Sequence, residues 1–114
     1  IKEAYKAAEE LEKEGISIEI IDLRTVRPMD HDAILASVKK TNRLVILEEA
    51  WPFGNVATEI TYQVQSQAFD YLDAPIVKIN TADTPAPYSP VLLAEWLPNH
   101  KDVINAVKKV MYKE

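Results

Sequence analysis

The 114-residue chain has no cysteine. That excludes disulfides, thiolate metal sites and a cysteine nucleophile, and it suits a reducing compartment. It has only two glycines, Gly15 and Gly54, so neither a dinucleotide-binding fingerprint nor a phosphate-cradling P-loop can be written. Long apolar runs are missing too: none approaches the ~20 residues that a membrane helix needs, and no signal-peptide pattern opens the sequence. Concentrated positive charge is scarce. There are 13 basic and 18 acidic residues, for a net charge of −5. Lys39, Lys40 and Arg43, with Lys108 and Lys109, are the densest basic groups, and they read as solvated helix ends rather than a nucleic-acid stripe. Ser17, Ser37, Ser66 and Ser89 lack a Gly-x-Ser-x-Gly setting, and His31 and His100 sit at expected helix starts. No serine triad follows.

What is present fits one domain over residues 1–114, with 47% apolar residues and roughly two thirds of its unfolded surface to bury. The chain is organised around residues 43–60. Leu44 to Leu47 form an apolar run without alternation, as expected of a strand covered on both faces. The chain then turns through Glu48, Glu49, Trp51, Pro52 and Gly54. Asn55 is placed to cap a helix whose stripe is Val56, Ile60, Val64 and Ala68 or Tyr71. Strand, turn and crossover helix make half of a βαβ unit. In open parallel sheets, ligands gather beyond the strand's carboxyl end, which here means residues 48–54.

Around that centre, residues 1–14 read as a helix with Ala4, Tyr5, Ala8 and Leu11 inward, ended by Gly15. Residues 16–23 read as a strand on which Ile16, Ile18 and Ile20 alternate with polar residues. A helix before the first strand is out of order for an α/β domain, so a strand ahead of Ile1 is expected. Asp30 can cap a helix carrying Ile34, Leu35 and Val38, which Thr41 and Asn42 close. Residues 76–80 read as a third strand, and residues 81–90, with Pro85, Pro87 and Pro90, as an extended loop that ends only at Pro98-Asn99-His100. Asn99 with Asp102 resembles a capping pair ahead of a last helix bearing Val103, Ile104, Val107, Val110 and Met111. The expected fold is a three-layer α/β sandwich on a mostly parallel sheet, lacking its first strand.

Neighbours on a strand point to opposite faces, so Glu48 and Glu49 are ill-placed as an acid–base pair. A structural or interface role fits them better than chemistry. Trp51, Phe53, Tyr88 and Trp96 fall in loops, either roofing the core or forming a partner surface. Arg24 and Arg27 fit structural ion pairs with Asp22 or Asp30 better than an anion site. Composition and spacing yield no catalytic, cofactor-binding or metal-binding set.

Four stretches carry a further signal: Glu14-Gly-Ile-Ser-Ile-Glu-Ile-Ile-Asp-Leu-Arg-Thr-Val-Arg-Pro-Met-Asp30, Arg43-Leu-Val-Ile-Leu-Glu-Glu-Ala50, Ala68-Phe-Asp-Tyr-Leu-Asp-Ala-Pro75 and Asp83-Thr-Pro-Ala-Pro-Tyr88. In order and spacing they resemble the beta subunits of the 2-oxoacid dehydrogenase family, within their transketolase-type C-terminal domain. The third stretch and Pro-Tyr-Ser-Pro look more like pyruvate dehydrogenase than branched-chain relatives. The resemblance implies an assembly and docking domain, inactive by itself, of an enzyme that decarboxylates pyruvate. Thiamine diphosphate and magnesium would be held by the alpha subunit and the beta N-terminal domain, and the acyl group would pass to a lipoyl group. The implied partners are the alpha subunit, a second beta subunit in a heterotetramer, and the subunit-binding domain of dihydrolipoyl acyltransferase, with no nucleic acid and no membrane. The implied compartment is the bacterial cytoplasm or the mitochondrial matrix. Asp73 stands where relatives place an acidic docking residue, and Glu48, Glu49, Trp51 and Phe53 are the interface candidates. Many relatives have histidine at Glu48, so that histidine's role does not carry over. The chain ends at Tyr112-Lys-Glu114, past where some relatives stop, so neither does docking through a terminal carboxylate. A transketolase or deoxyxylulose-phosphate synthase C-terminal domain is the alternative within the superfamily, and a free-standing α/β binding module the alternative outside it.

Overall fold

Three helices open on side chains that cap them. In the computed structural model, which describes residues 1–113, Asp30 Oδ1 accepts from the Ala33 N–H at 3.0 Å and opens α2 (His31–Thr41). Asn55 Oδ1 accepts from the Thr58 N–H at 2.9 Å and opens α3 (Val56–Ala68). Asn99 and Asp102 exchange bonds in a full capping box at the start of α5 (His100–Val110). Such caps are each worth about 1 kcal/mol, because they satisfy amide donors that the helix itself leaves free. At the far end of α1 (Lys2–Lys13), Gly15 takes φ +79°, and α2 closes on Asn42 at φ 64°. Both adopt the left-handed conformation that ends a helix without a clash when the residue is Gly or Asn.

Strands β1 (Val45–Leu47) and β2 (Val77–Ile79) pair in parallel, Val45 with Val77, Ile46 with Lys78 and Leu47 with Ile79. Side chains alternate across a strand, and that alternation divides the core. Ile46 turns to one face, into a buried cluster with Ile34 and Val38 of α2 and Ile60 and Val64 of α3. Val45, Leu47, Val77 and Ile79 turn to the other, against Leu11 of α1 and Val103 and Val107 of α5. Two helical layers enclosing a parallel sheet is the expected three-layer sandwich, and it explains the unbroken apolar run at Leu44–Leu47.

Three local expectations need correction. Residues 16–23 form no ladder among the described residues. Their side chains still behave as a strand's would, with Ile16 buried beside α1 and α5 and Leu23 packed on the α2–α3 side. What the segment lacks is a hydrogen-bonding neighbour: by parallel alternation the backbone groups of Val45 and Leu47 face away from β2, leaving that edge of β1 unpaired. On α1 the inward face is Ala7 and Leu11, both fully buried, while Tyr5 is 58% exposed. This face packs on α5, whose first residue, His100, donates its N–H to Glu3 Oε2 at 2.7 Å. Finally, the proline-rich stretch does not run on as a loop to Asn99. It gives way to a short helix, α4 (Pro90–Trp96), with Pro90 in the first turn, where its missing N–H costs nothing. A 3-10 turn, Phe69–Tyr71, follows α3.

Candidate functional site at the two ends of the sheet

The sequence-derived candidates separate to opposite ends of the strands. Glu48, Glu49, Trp51 and Phe53 follow β1 at its carboxyl end. Asp73 lies at the amino end, just before β2 and beside Asn42 and Arg43, which lead into β1. The structure does not bring the two groups together.

At the carboxyl end, Glu48 is half-buried and uses both oxygens. Oε1 accepts from Asn80 Nδ2 at 2.9 Å, joining the ends of the two strands, and Oε2 accepts from the Ala57 N–H at 3.3 Å in the first turn of α3. A carboxylate at a helix N-terminus satisfies a free donor and meets the positive end of the helix dipole. Glu49 is exposed, with no side-chain bond among the described residues. The loop that follows is tied down on several sides. Asn55 Nδ2 donates to the Trp51 carbonyl at 2.6 Å, and Lys78 Nζ to the Pro52 carbonyl at 3.0 Å. Trp51 Nε1–H donates to the Thr84 carbonyl at 2.9 Å, and Trp96 Nε1–H donates to the same oxygen at 2.9 Å. The Ala82 N–H bonds the Trp96 carbonyl at 3.1 Å. Residues 48–55, residues 81–84 and α4 are thus one connected rim. Between the loop and α3 lies an open hollow of about 520 Å³ bordered by Glu48, Trp51, Phe53, Gly54, Val56 and Glu59 among others.

At the amino end, Asp73 is held by its backbone, while its side chain makes no hydrogen bond among the described residues. Its N–H donates to the Asn42 carbonyl at 2.8 Å, its carbonyl accepts from the Tyr112 hydroxyl at 3.3 Å, and Asn42 Nδ2 donates to the Tyr71 carbonyl at 2.9 Å. The carboxylate is 57% exposed, and its nearest cation, Arg43 Nη1, is 3.8 Å away. Arg43 spends its Nε–H on the Val110 carbonyl at 3.0 Å, at the end of α5. So long and wet an ion pair contributes little, which leaves Asp73 open to a cation from outside. Around it stand exposed Phe69, Tyr71 and Tyr112. Glu114, and with it the terminal carboxylate, lies outside the described residues.

Several contributors carried no local signal in the sequence. Thr84 contributes a main-chain carbonyl, which every residue has. Asn80 becomes legible only once β1 and β2 are known to be parallel neighbours, which sets it beside Glu48. Arg24 pairs with Asp22 at 3.0 Å, as its spacing suggested.

No glycine-rich turn offers amides to a diphosphate, and among the described residues no three acidic or histidine side chains are grouped to hold a metal ion. Among them, too, no helix is long and apolar enough to cross a membrane.

Comparison with known proteins gives the family. Residues 1–103 match the family model described as transketolase, C-terminal domain. The chain belongs to the transketolase C-terminal domain family. Its fold superposes on a solved structure titled split gene transketolase, inactive beta4 tetramer, with a TM-score of 0.83 and 26% identity, covering 99% of this chain and 37% of that one. Among curated proteins, this transketolase C-terminal domain is 56% identical over 110 residues to the pyruvate dehydrogenase E1 component subunit beta of Rhizobium meliloti, covering 96% of the chain and 24% of the relative. The corresponding subunit of Bacillus subtilis is 43% identical over 111 residues, covering 97% and 34%. A mitochondrial beta-1 subunit from Oryza sativa is 48% identical over 110 residues, covering 96% and 29%. The domain therefore spans between a quarter and a third of the length of these relatives.

Proposed function

We propose that this domain is the assembly and docking part of a pyruvate dehydrogenase beta subunit. The observation that carries the reading is near-complete coverage of the chain by beta-subunit relatives at 43–56% identity, and a domain that presents surfaces at both sheet ends agrees with it. Under this reading, thiamine diphosphate and magnesium sit in the alpha subunit and the beta N-terminal domain. There pyruvate is decarboxylated and the acyl group passed to a lipoyl group. The domain works in the bacterial cytoplasm or, in a eukaryote, in the mitochondrial matrix.

Two contacts are assigned. The carboxyl-end rim, with Trp51 52% and Phe53 89% exposed, faces the neighbouring subunits of the heterotetramer, with Glu49 at its border and Glu48 bracing it from behind. The amino-end turn presents Asp73 to a basic surface on the subunit-binding domain of dihydrolipoyl acyltransferase. The separation of the two ends lets one domain hold the tetramer and dock the acyltransferase at once. Placed upstream in the complete subunit, a further strand pairs with the free edge of β1 and gives residues 16–23 the neighbour they lack.

The assembly half is tested by reconstitution. Complete beta subunits carrying Trp51→Ala with Phe53→Ala, mixed with the alpha subunit, should yield less heterotetramer on size exclusion than the unmodified subunit while remaining folded. Undiminished assembly would place the interface elsewhere.

A further inference from the structure

The composition of the carboxyl-end hollow indicates what it binds. Its charged lining residues are Glu48 and Glu59, its aromatic ones Trp51 and Phe53, and no lysine, arginine or histidine borders it. Lys78 reaches the same loop but directs its ammonium to the Pro52 carbonyl at 3.0 Å and the Thr58 hydroxyl at 3.2 Å, and it is not part of the lining. Glu59, in the first turn of α3, engages Gln63 through Oε1 at 2.9 Å. Trp51 is fixed by its bond to Thr84 at 2.9 Å, and Phe53, at 89% exposure, keeps its ring in solvent.

Aromatic faces carry a negative quadrupole and attract cations, most of all planar guanidinium groups, which also stack on them. A carboxylate beside such a wall adds a charge-assisted hydrogen bond. A neutral or anionic group would gain neither, and Glu59, whose Oε2 has no side-chain bond among the described residues, supplies the carboxylate. We propose that this hollow is a docking point for a cationic side chain, in first place an arginine, presented by a partner polypeptide. The proposal rests on the carboxyl-end assembly reading and names the group that a neighbouring subunit presents there, whereas the Asp73 reading concerns the opposite end of the sheet and stands or falls separately.

The test is an NMR titration of the chain with N-acetyl-arginine amide, against N-acetyl-citrulline amide as the neutral isostere. Saturable shifts of the Trp51 indole N–H and the Gly54 amide are expected with the arginine probe and not with citrulline. Glu59→Gln and Phe53→Ala, both at exposed positions where the fold tolerates change, should each weaken the arginine affinity by about two- to fivefold. Equal shifts with citrulline would overturn the proposal, as would unchanged affinity in both variants or shifts confined to the Asp73 turn.

Discussion

Trp51 and Trp96 donate their indole N–H groups to one acceptor, the Thr84 carbonyl, each at 2.9 Å. A carbonyl oxygen has two lone pairs, so both bonds can form at once. The consequence is mechanical: the loop after β1, the segment after β2 and helix α4 are pinned at one atom. Trp96→Phe keeps the ring and removes the donor, and should cost about 0.5–1.5 kcal/mol. Trp51→Phe, at a more exposed ring, should cost less. The double variant should lose more than the sum of the two, because only then is Thr84 without an anchor. Urea denaturation of the four proteins measures this, and strict additivity would mean that the shared acceptor couples nothing.

The two adjacent glutamates should differ sharply. Glu48→Ala strips Asn80 and the Ala57 N–H of their acceptor in a half-buried setting and should cost about 1–3 kcal/mol. Glu49→Ala touches no bonded group and should stay within about 0.5 kcal/mol of the parent. The same denaturation series decides it.

Acid should expose two carboxyls. The backbone N–H of His100, at 2.7 Å, holds Glu3 below the ordinary value of 4.5, and Lys40, at 2.6 Å, does the same for Glu19. A depressed folded-state pKa means that the unfolded chain binds more protons between the two values. Stability is then fully present above the ordinary carboxylate pKa and is lost as pH falls through the depressed ones. Glu3→Gln and Glu19→Gln should therefore flatten the acid limb of the stability curve below about pH 4.5, with little change in its shape near neutrality. A parallel limb in both variants would show that neither carboxyl contributes to acid sensitivity.

The free edge of β1 should be visible in solution. Amide hydrogens of residues 16–23 should exchange far faster than those of Ile46 and Ile79, which sit in the ladder. An unpaired edge also invites pairing between chains, so the isolated domain should self-associate as concentration rises. A monodisperse monomer by light scattering at high concentration, with protected amides in residues 16–23, would contradict both.

How much of this was legible beforehand follows from the range of each interaction. The caps at Asp30, Asn55 and Asn99, the helix stops at Gly15 and Asn42, and the apolar run before Glu48 are local, and they could be read from neighbours in sequence. Residues 16–23 carry a strand's side-chain pattern, but a ladder also needs a neighbouring strand, which pattern cannot supply. The start of α4 was hidden because Ser89-Pro90 reads equally as a loop and as a first helical turn. Tyr5 faces out on α1, whose buried face packs on α5, distant in sequence. The Glu48–Phe53 loop was marked by its place after an apolar strand, whereas Asp73 was marked only through the family resemblance and by nothing in its local pattern. The Thr84 acceptor could not be named, since nothing in its side chain marks it.

The proposed docking of Asp73 is tested most directly by calorimetric titration of the domain with the subunit-binding domain of the acyltransferase from the same source. Binding should weaken steadily as salt rises, since the contact is exposed and screened, and Asp73→Ala should reduce it while leaving the fold intact. Arg43→Ala, which removes the internal competitor 3.8 Å away, should leave binding unchanged or tighter. Absence of binding by a folded domain, or binding indifferent to both salt and Asp73→Ala, would contradict the assignment.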